Sequence, residues 1–179
     1  MIYTLLADGF EEIEALTVVD ILRRAEINIE LVSINSSKEV KGAHDITVTA
    51  DKTINEINDY DMIFLPGGYP GYINLENSAE VINILSQCDA SKKYIAAICA
   101  APSILGKQGM LHNKIACCFP GFESELKGAE VSFDEVVVCE NIITSRGAGT
   151  AHKLGFKIVE LLKGKDVADR LANTMIYKI

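Results

Sequence analysis

The segment Tyr94-Ile95-Ala96-Ala97-Ile98-Cys99-Ala100-Ala101-Pro102-Ser103 runs as an apolar strand into a thiol and restarts at once as a helix. Pro102 suits the first turn of that helix, where its fixed φ is already helical and its missing N–H costs nothing. A nucleophile on such a strand-to-helix elbow sits on a strained turn that accepts only small neighbours two residues away. Ala97 and Ala101 meet that demand, where hydrolase elbows use glycines. The helix's free amides and dipole stabilise an anion, which predicts a lowered thiol pKa for Cys99 and the chemistry of a thiolate. Cys88, Cys117, Cys118 and Cys139 fall near a helix end or in strand-like runs, where packing as small apolar side chains accounts for them. No pair of cysteines has zinc-ligand spacing with a histidine, so no metal site is expected.

A second group of chemical interest is the acidic stretch Asp8-Gly9-Phe10-Glu11-Glu12-Ile13-Glu14. Glu11 and Glu12 read as first-turn carboxylates that stabilise exposed helix amides. Glu14 differs: Val18, Ile21 and Ala25 share its stripe at offsets of four, seven and eleven. A carboxyl on a buried stripe is raised in pKa by desolvation and poised for proton transfer.

Pro66-Gly67-Gly68 follows an apolar run at the expected carboxyl edge of a sheet, where glycines let backbone N–H groups approach a ligand or an oxyanion. Ser145-Arg146-Gly147-Ala148-Gly149-Thr150 is another strand-to-helix junction and lacks the full dinucleotide-binding spacing. Arg146 could hold an anion there or pair with surface acids. His44, His112 and His152 lie far from Cys99 in the sequence, and none stands at a strand end, which argues against a Cys-His-acid hydrolase.

The elements that must position these groups alternate between strand-length apolar runs and segments of helical period, the pattern of a parallel α/β sheet. Strands are predicted at Ile2 to Ala7, Ile29 to Ile34, Met62 to Leu65 and Tyr94 to Ile98. Ile115 to Phe119, Val136 to Cys139 and Ile142 to Thr144 complete the predicted sheet. Helices are predicted from Glu11 to Ala25, from a cap at Asn77 or Ser78 to Gln87, from Thr150 to Leu162 and from Asp166 to Tyr177. The 179 residues contain no repeat or linker and read as one domain over 1–179.

A formal charge of −8 argues against a nucleic-acid binder, and no window holds the ~20 apolar residues of a membrane span. Met1 opens directly on a strand-like run without an export signal, and five cysteines then read as reduced thiols in a cytoplasmic protein.

Four segments together resemble the ThiJ/PfpI superfamily, in the branch of the parkinsonism-associated protein and the bacterial ThiJ/YajL-like proteins. They are Ala7 to Glu14, Leu65-Pro66-Gly67-Gly68, Ala96 to Pro102, and Thr144 to Thr150, spread in order over nearly the whole chain. The resemblance implies a flavodoxin-like three-layer sandwich with a mostly parallel central sheet, usually homodimeric. It implies Cys99 as nucleophile or oxidation site, with Glu14 bonded to the sulfur as acid/base. The amides of Gly68 and Ala100 would form the oxyanion pocket. Ala100 stands where protease-like members carry histidine, Phe119-Pro120 where others carry a pocket histidine before a proline, and His44 where a related interface arginine often stands.

The expected activity is cysteine-dependent addition to a small aldehyde, glyoxalase III-like or deglycating, in carbonyl or oxidative stress defence. It needs no cofactor and takes a small carbonyl substrate or an oxidant as partner. The alternative is a redox sensor or stress chaperone in which Cys99 is oxidised to sulfinate; a peptidase or amidase ranks below both.

Overall fold

Runs of four or five apolar residues with no polar alternation demand burial on both faces, and the sheet supplies it. The computed structural model describes residues 1–178. In chain order its elements are β1 (Ile2–Leu6), α1 (Glu12–Arg24), β2 (Ile29–Ser33), β3 (Glu39–Lys41), β4 (Thr47–Thr49), β5 (Lys52–Thr53) and β6 (Met62–Leu65). There follow α2 (Gly71–Asn77), α3 (Ala79–Ala90), β7 (Tyr94–Ile98), α4 (Pro102–Lys107), β8 (Ile115–Ala116) and β9 (Glu130–Val131). The chain ends with β10 (Val136–Cys139), β11 (Ile142–Ser145), α5 (Ala151–Lys163) and α6 (Lys165–Thr174).

Seven strands form the central sheet in the order β10-β11-β7-β6-β1-β2-β5. All neighbours are parallel except β10 and β11, which pair antiparallel. One core packs α1, α5 and α6 on one face, with Leu6, Phe64 and Ile98 pointing into it. The other lies under α3 and α4, with Leu5, Leu65 and Ala97 pointing the opposite way. This is the expected flavodoxin-like three-layer sandwich. Because β2 lies on one side of β1 and β6 on the other, the chain reverses direction across the sheet there. A crevice opens at the carboxyl ends of the strands at such a reversal.

The structure departs from the sequence-based expectations in several places. The run Ile115 to Phe119 does not join the central sheet: only Ile115–Ala116 is extended, and it pairs with β9 in a separate two-stranded sheet. Cys117 and Cys118 therefore lie beyond the strand. The Cys117 amide donates to Thr144 Oγ1 at 3.0 Å and the Phe119 amide to the Cys99 carbonyl at 2.8 Å, so the chain turns to cover the elbow. The helix α2 was not expected, and no side chain caps it. Glu12 is 5% exposed rather than a solvated first-turn acid. The hairpin β3–β4 and the short strands β5 and β9 were not expected either, and β5 takes the edge place in the central sheet. Elsewhere the differences are a residue or a few at element ends. Ser78 caps α3 as predicted, accepting from the Val81 amide at 3.3 Å. No helix among the described residues is long and apolar enough to cross a membrane.

Candidate active site

Four loops meet at the carboxyl edge of the sheet: those after β1, β6, β7 and β11. The loop after β7 carries Cys99, which adopts φ 65°, a left-handed conformation that side chains other than glycine's rarely take. Its main chain is held on both sides. The Cys99 N–H donates to the Ser145 carbonyl at 2.9 Å, and the Cys99 carbonyl accepts from Phe119 at 2.8 Å. Cys99 itself is partly buried, whereas Cys88, Cys117 and Cys118 are buried.

Glu14 reaches this elbow from α1, which starts beyond the β1 loop and turns its apolar stripe onto the sheet. Val18 and Ile21 are fully buried and Ala25 is buried, as the stripe predicted; Glu14 is 1% exposed. Its Oε2 accepts the Gly67 amide at 2.8 Å. Gly67 is the hinge of the arrangement: a Cβ there would stand 2.7 Å from both Cys99 Cβ and Glu14 Oε2. Gly68 adopts φ +95° and packs against the loop after β1 so closely that a Cβ would fall 2.4 Å from the Gly9 carbonyl oxygen. Only glycines let the turn after β6 pass between thiol, carboxyl and that loop.

Burial pushes the Glu14 carboxyl up to about 7, against the pull of the Gly67 amide and of its hydrogen bond with Cys99. The thiol is pushed up too, first by burial, then by the Glu14 charge and by hydrogen bonding to it. The amides of Ala100 and Gly68 bond to the sulfur and pull the other way. The lowered thiol pKa expected from the elbow alone is therefore overridden, first by burial and further while Glu14 is ionised, and α4, with six residues, is a short helix to oppose it. With the proton on Glu14 the charge repulsion disappears, and the carboxyl can donate to sulfur. Thiol and carboxyl form one proton-sharing pair, faced by two backbone donors.

The sequence thus named four groups that meet: Cys99, Glu14 and the amides of Gly68 and Ala100. His44 and Arg146 do other work. The His44 ring Nδ1 lies 3.0 Å from Glu12 Oε2, and its amide donates to Glu12 Oε1 at 2.8 Å, tying the β3–β4 hairpin to α1. Burial acts to raise Glu12, but bonds from the His44 ring and from the His44 and Ile46 amides outweigh it and hold the carboxyl below its ordinary value. The bond to Glu12, with the charges of Glu11 and Glu12, raises His44. Oxygens of Glu11 and Glu12 and a ring nitrogen of His44 lie within 4.8 Å of one another, a grouping that this hydrogen bonding explains without an ion.

Arg146 donates to the Cys118 and Phe133 carbonyls, each at 3.4 Å, rather than to an acid. His152 stacks on Tyr177 with ring centroids 5.4 Å apart, and His112 lies against Gly128. Residues that the chemistry of side chains could not reveal are Ser145 and Phe119, which act on Cys99 through their main chains. The Phe119-Pro120 dipeptide was noted as standing where relatives carry a pocket histidine, but what meets Cys99 is its amide.

The chain is similar to known proteins over nearly its whole length. The chain is 37% identical to Protein DJ-1alpha of Drosophila melanogaster over 179 residues, covering 97% of this chain and 82% of that one. It is 30% identical to the glutathione-independent glyoxalase DJR-1.2 of Caenorhabditis elegans, covering 90% of this chain and 87% of the relative. The structure of oxidized DJ-1 from Toxoplasma gondii superposes with a TM-score of 0.95 at 32% identity, over 99% of this chain and 98% of the other. Residues 1–161 match the DJ-1/PfpI family, and the chain belongs to it.

Proposed function

We propose that this protein is a cysteine-dependent enzyme acting on small α-oxoaldehydes, with Cys99 as nucleophile and Glu14 as its acid/base. The observation that carries this reading is the Glu14–Cys99 pair: a buried carboxyl with a pKa of about 7 bonded to a thiol on a strained elbow. A base of that pKa is suited to moving protons near neutrality.

With methylglyoxal, the ionised Glu14 takes the thiol proton as sulfur attacks the aldehyde carbon. The new C–S bond leaves an oxyanion facing the Gly68 and Ala100 amides, and the Glu14 proton then quenches it to a hemithioacetal. Glu14 next removes the proton on the former aldehyde carbon and returns it to the neighbouring carbonyl carbon, while the hydroxyl proton passes to that carbon's oxygen, which gives a thioester of lactate. Water cleaves that C–S bond, releasing lactate and restoring the thiol. The sum is methylglyoxal plus water to lactate, with no external oxidant or reductant. The similarity to a relative named as a glyoxalase supports the substrate class. Deglycation of early aldehyde adducts uses the same first steps, and carbonyl-stress defence is the setting this chemistry fits.

The test is lactate formation by the purified protein supplied with methylglyoxal. Cys99→Ala is expected to abolish turnover, and equal turnover by that variant would sink the reading.

A second reading, oxidation sensing, is favoured by the same carboxyl: once protonated, Glu14 can donate to a sulfinate oxygen. Mild peroxide followed by peptide mass spectrometry is then expected to add oxygen at Cys99 before the other four cysteines. Even oxidation across all five would remove it.

A further inference from the structure

A left-handed φ at Cys99 persists only if its surroundings over-determine it. The main-chain bonds around the elbow close into a circuit. The Cys99 N–H is held by the Ser145 carbonyl at 2.9 Å and the Cys99 carbonyl by the Phe119 N–H at 2.8 Å. Phe119 lies in an irregular loop, so something else must fix that amide. The opposite side of the same Cys118–Phe119 peptide is a carbonyl, and it accepts from Arg146 Nε at 3.4 Å. Arg146 follows Ser145 directly in the chain, so its side chain connects one holder of Cys99 to the other. The far side of the guanidinium is tied as well: Nη1 donates to the Phe133 carbonyl at 3.4 Å, and the guanidinium lies 5.7 Å from the Phe133 ring centroid.

The charge of Arg146 has a use in this position. Among the described residues it makes no ion pair, although the chain carries a net charge of −8. A cation on a peptide carbonyl polarises that peptide and strengthens the N–H donated on its other side. Here that donor is the one that holds the Cys99 carbonyl.

We propose that Arg146 is a positioning residue for Cys99, holding the left-handed elbow through the Cys118–Phe119 peptide so that the sulfur stays against the Gly68 and Ala100 amides. This rests on the reading of Cys99 as the reactive atom, but not on which electrophile it meets. Two of the guanidinium's donor nitrogens face main-chain carbonyls, which distinguishes the role from capture of a substrate's anionic group.

The experiment compares Arg146→Met and Arg146→Lys with the unaltered full chain. Iodoacetamide labelling from pH 6 to 10, resolved by peptide mass spectrometry, gives the rate at Cys99, with Cys88 and Cys139 as references in the same molecule. Turnover of methylglyoxal and of 4,5-dioxovalerate, an α-oxoaldehyde that also carries a carboxylate, is measured beside it. In Arg146→Met, labelling at Cys99 is expected to slow about tenfold, with its pH midpoint moved upward, because a sulfur displaced from its amides loses anion stabilisation. Cys139 should be unchanged. Arg146→Lys keeps the charge without the fork, so it should recover part of the rate, and it serves alone should the Met variant not fold.

An unchanged Cys99 profile in both variants overturns the proposal. So does faster labelling of Cys88 and Cys99 together, which marks general loosening. Loss of 4,5-dioxovalerate turnover alone, with labelling and methylglyoxal turnover intact, would instead make Arg146 a substrate-binding group. If the unaltered protein makes no lactate, the aldehyde reading falls while the labelling result still decides the role of Arg146.

Discussion

A cysteine lies at each end of β7, and the two show what burial alone does to a thiol and what a site adds. Cys88, in the last turn of α3, is fully buried, and its Sγ donates to the Tyr94 carbonyl at 3.3 Å at the start of the strand. Burial pushes that thiol up to about 11, and a carbonyl acceptor suits only the protonated form. Cys99, just past the strand's end, is also pushed up by burial. What differs is its company: a carboxyl that can take the proton, two amides that can face the anion, and a backbone bent out of the strand. Desolvation is common to both ends, so the reactivity proposed for Cys99 must rest on the proton acceptor and the donors around it.

The sharpest way to break the contrast is to crowd one end only. Gly67 has no left-handed φ, so alanine there is a nearly pure steric probe whose Cβ would press on Cys99 and Glu14 at 2.7 Å each. Overpacking of this kind costs about 1–3 kcal/mol of stability. Because the carboxyl must shift, Gly67→Ala is expected to lower turnover by on the order of 100-fold. Denaturant midpoints and initial rates measure the two effects. Labelling of Cys88 should follow stability alone; if Cys99 labelling and turnover follow stability alone as well, the Glu14 contact is not what distinguishes the two ends.

How far this could be read from the sequence depended on how local each cause is. The bounds of β6 and β7 were legible because Met62 to Leu65 and Tyr94 to Ile98 are unbroken apolar runs with punctuation on either side. Burial of Glu14 was legible because its partners lie on its own helix. Glu12, two residues away, was misread: what covers it is a hairpin whose His44 is 32 positions further along the chain. The helix α2 hid between Pro70 and Ser78, only seven residues long and without a side-chain cap. Ile115 to Phe119 looked like a strand, yet its later amides are drawn to Thr144 and Cys99, partners that no periodicity reveals. The thiol's pKa was misjudged for a related reason. An elbow read in isolation shows its amides, but not the burial that dominates the thiol's shift, nor the charge that Glu14 adds to it.

A smaller, cleaner probe is the proton on that carboxyl. Glu14 has an ordinary value of 4.5 when unfolded and about 7 when folded, raised chiefly by burial. Below pH 4.5 both states carry the proton and its contribution to stability is fully present. Between the two values only the folded state binds it, so the contribution shrinks with rising pH and is lost above about 7. Glu14→Gln keeps an oxygen for the Gly67 amide and does not titrate. The stability of the unaltered protein relative to Glu14→Gln should therefore fall by roughly 3 kcal/mol between pH 4.5 and 8. Urea unfolding at the two pH values measures the difference, and a flat one would mean that Glu14 takes up no proton on folding. The same substitution also removes the charge that holds the Cys99 proton. It should bring the onset of Cys99 labelling to lower pH and leave Cys88, which has no such partner, where it was.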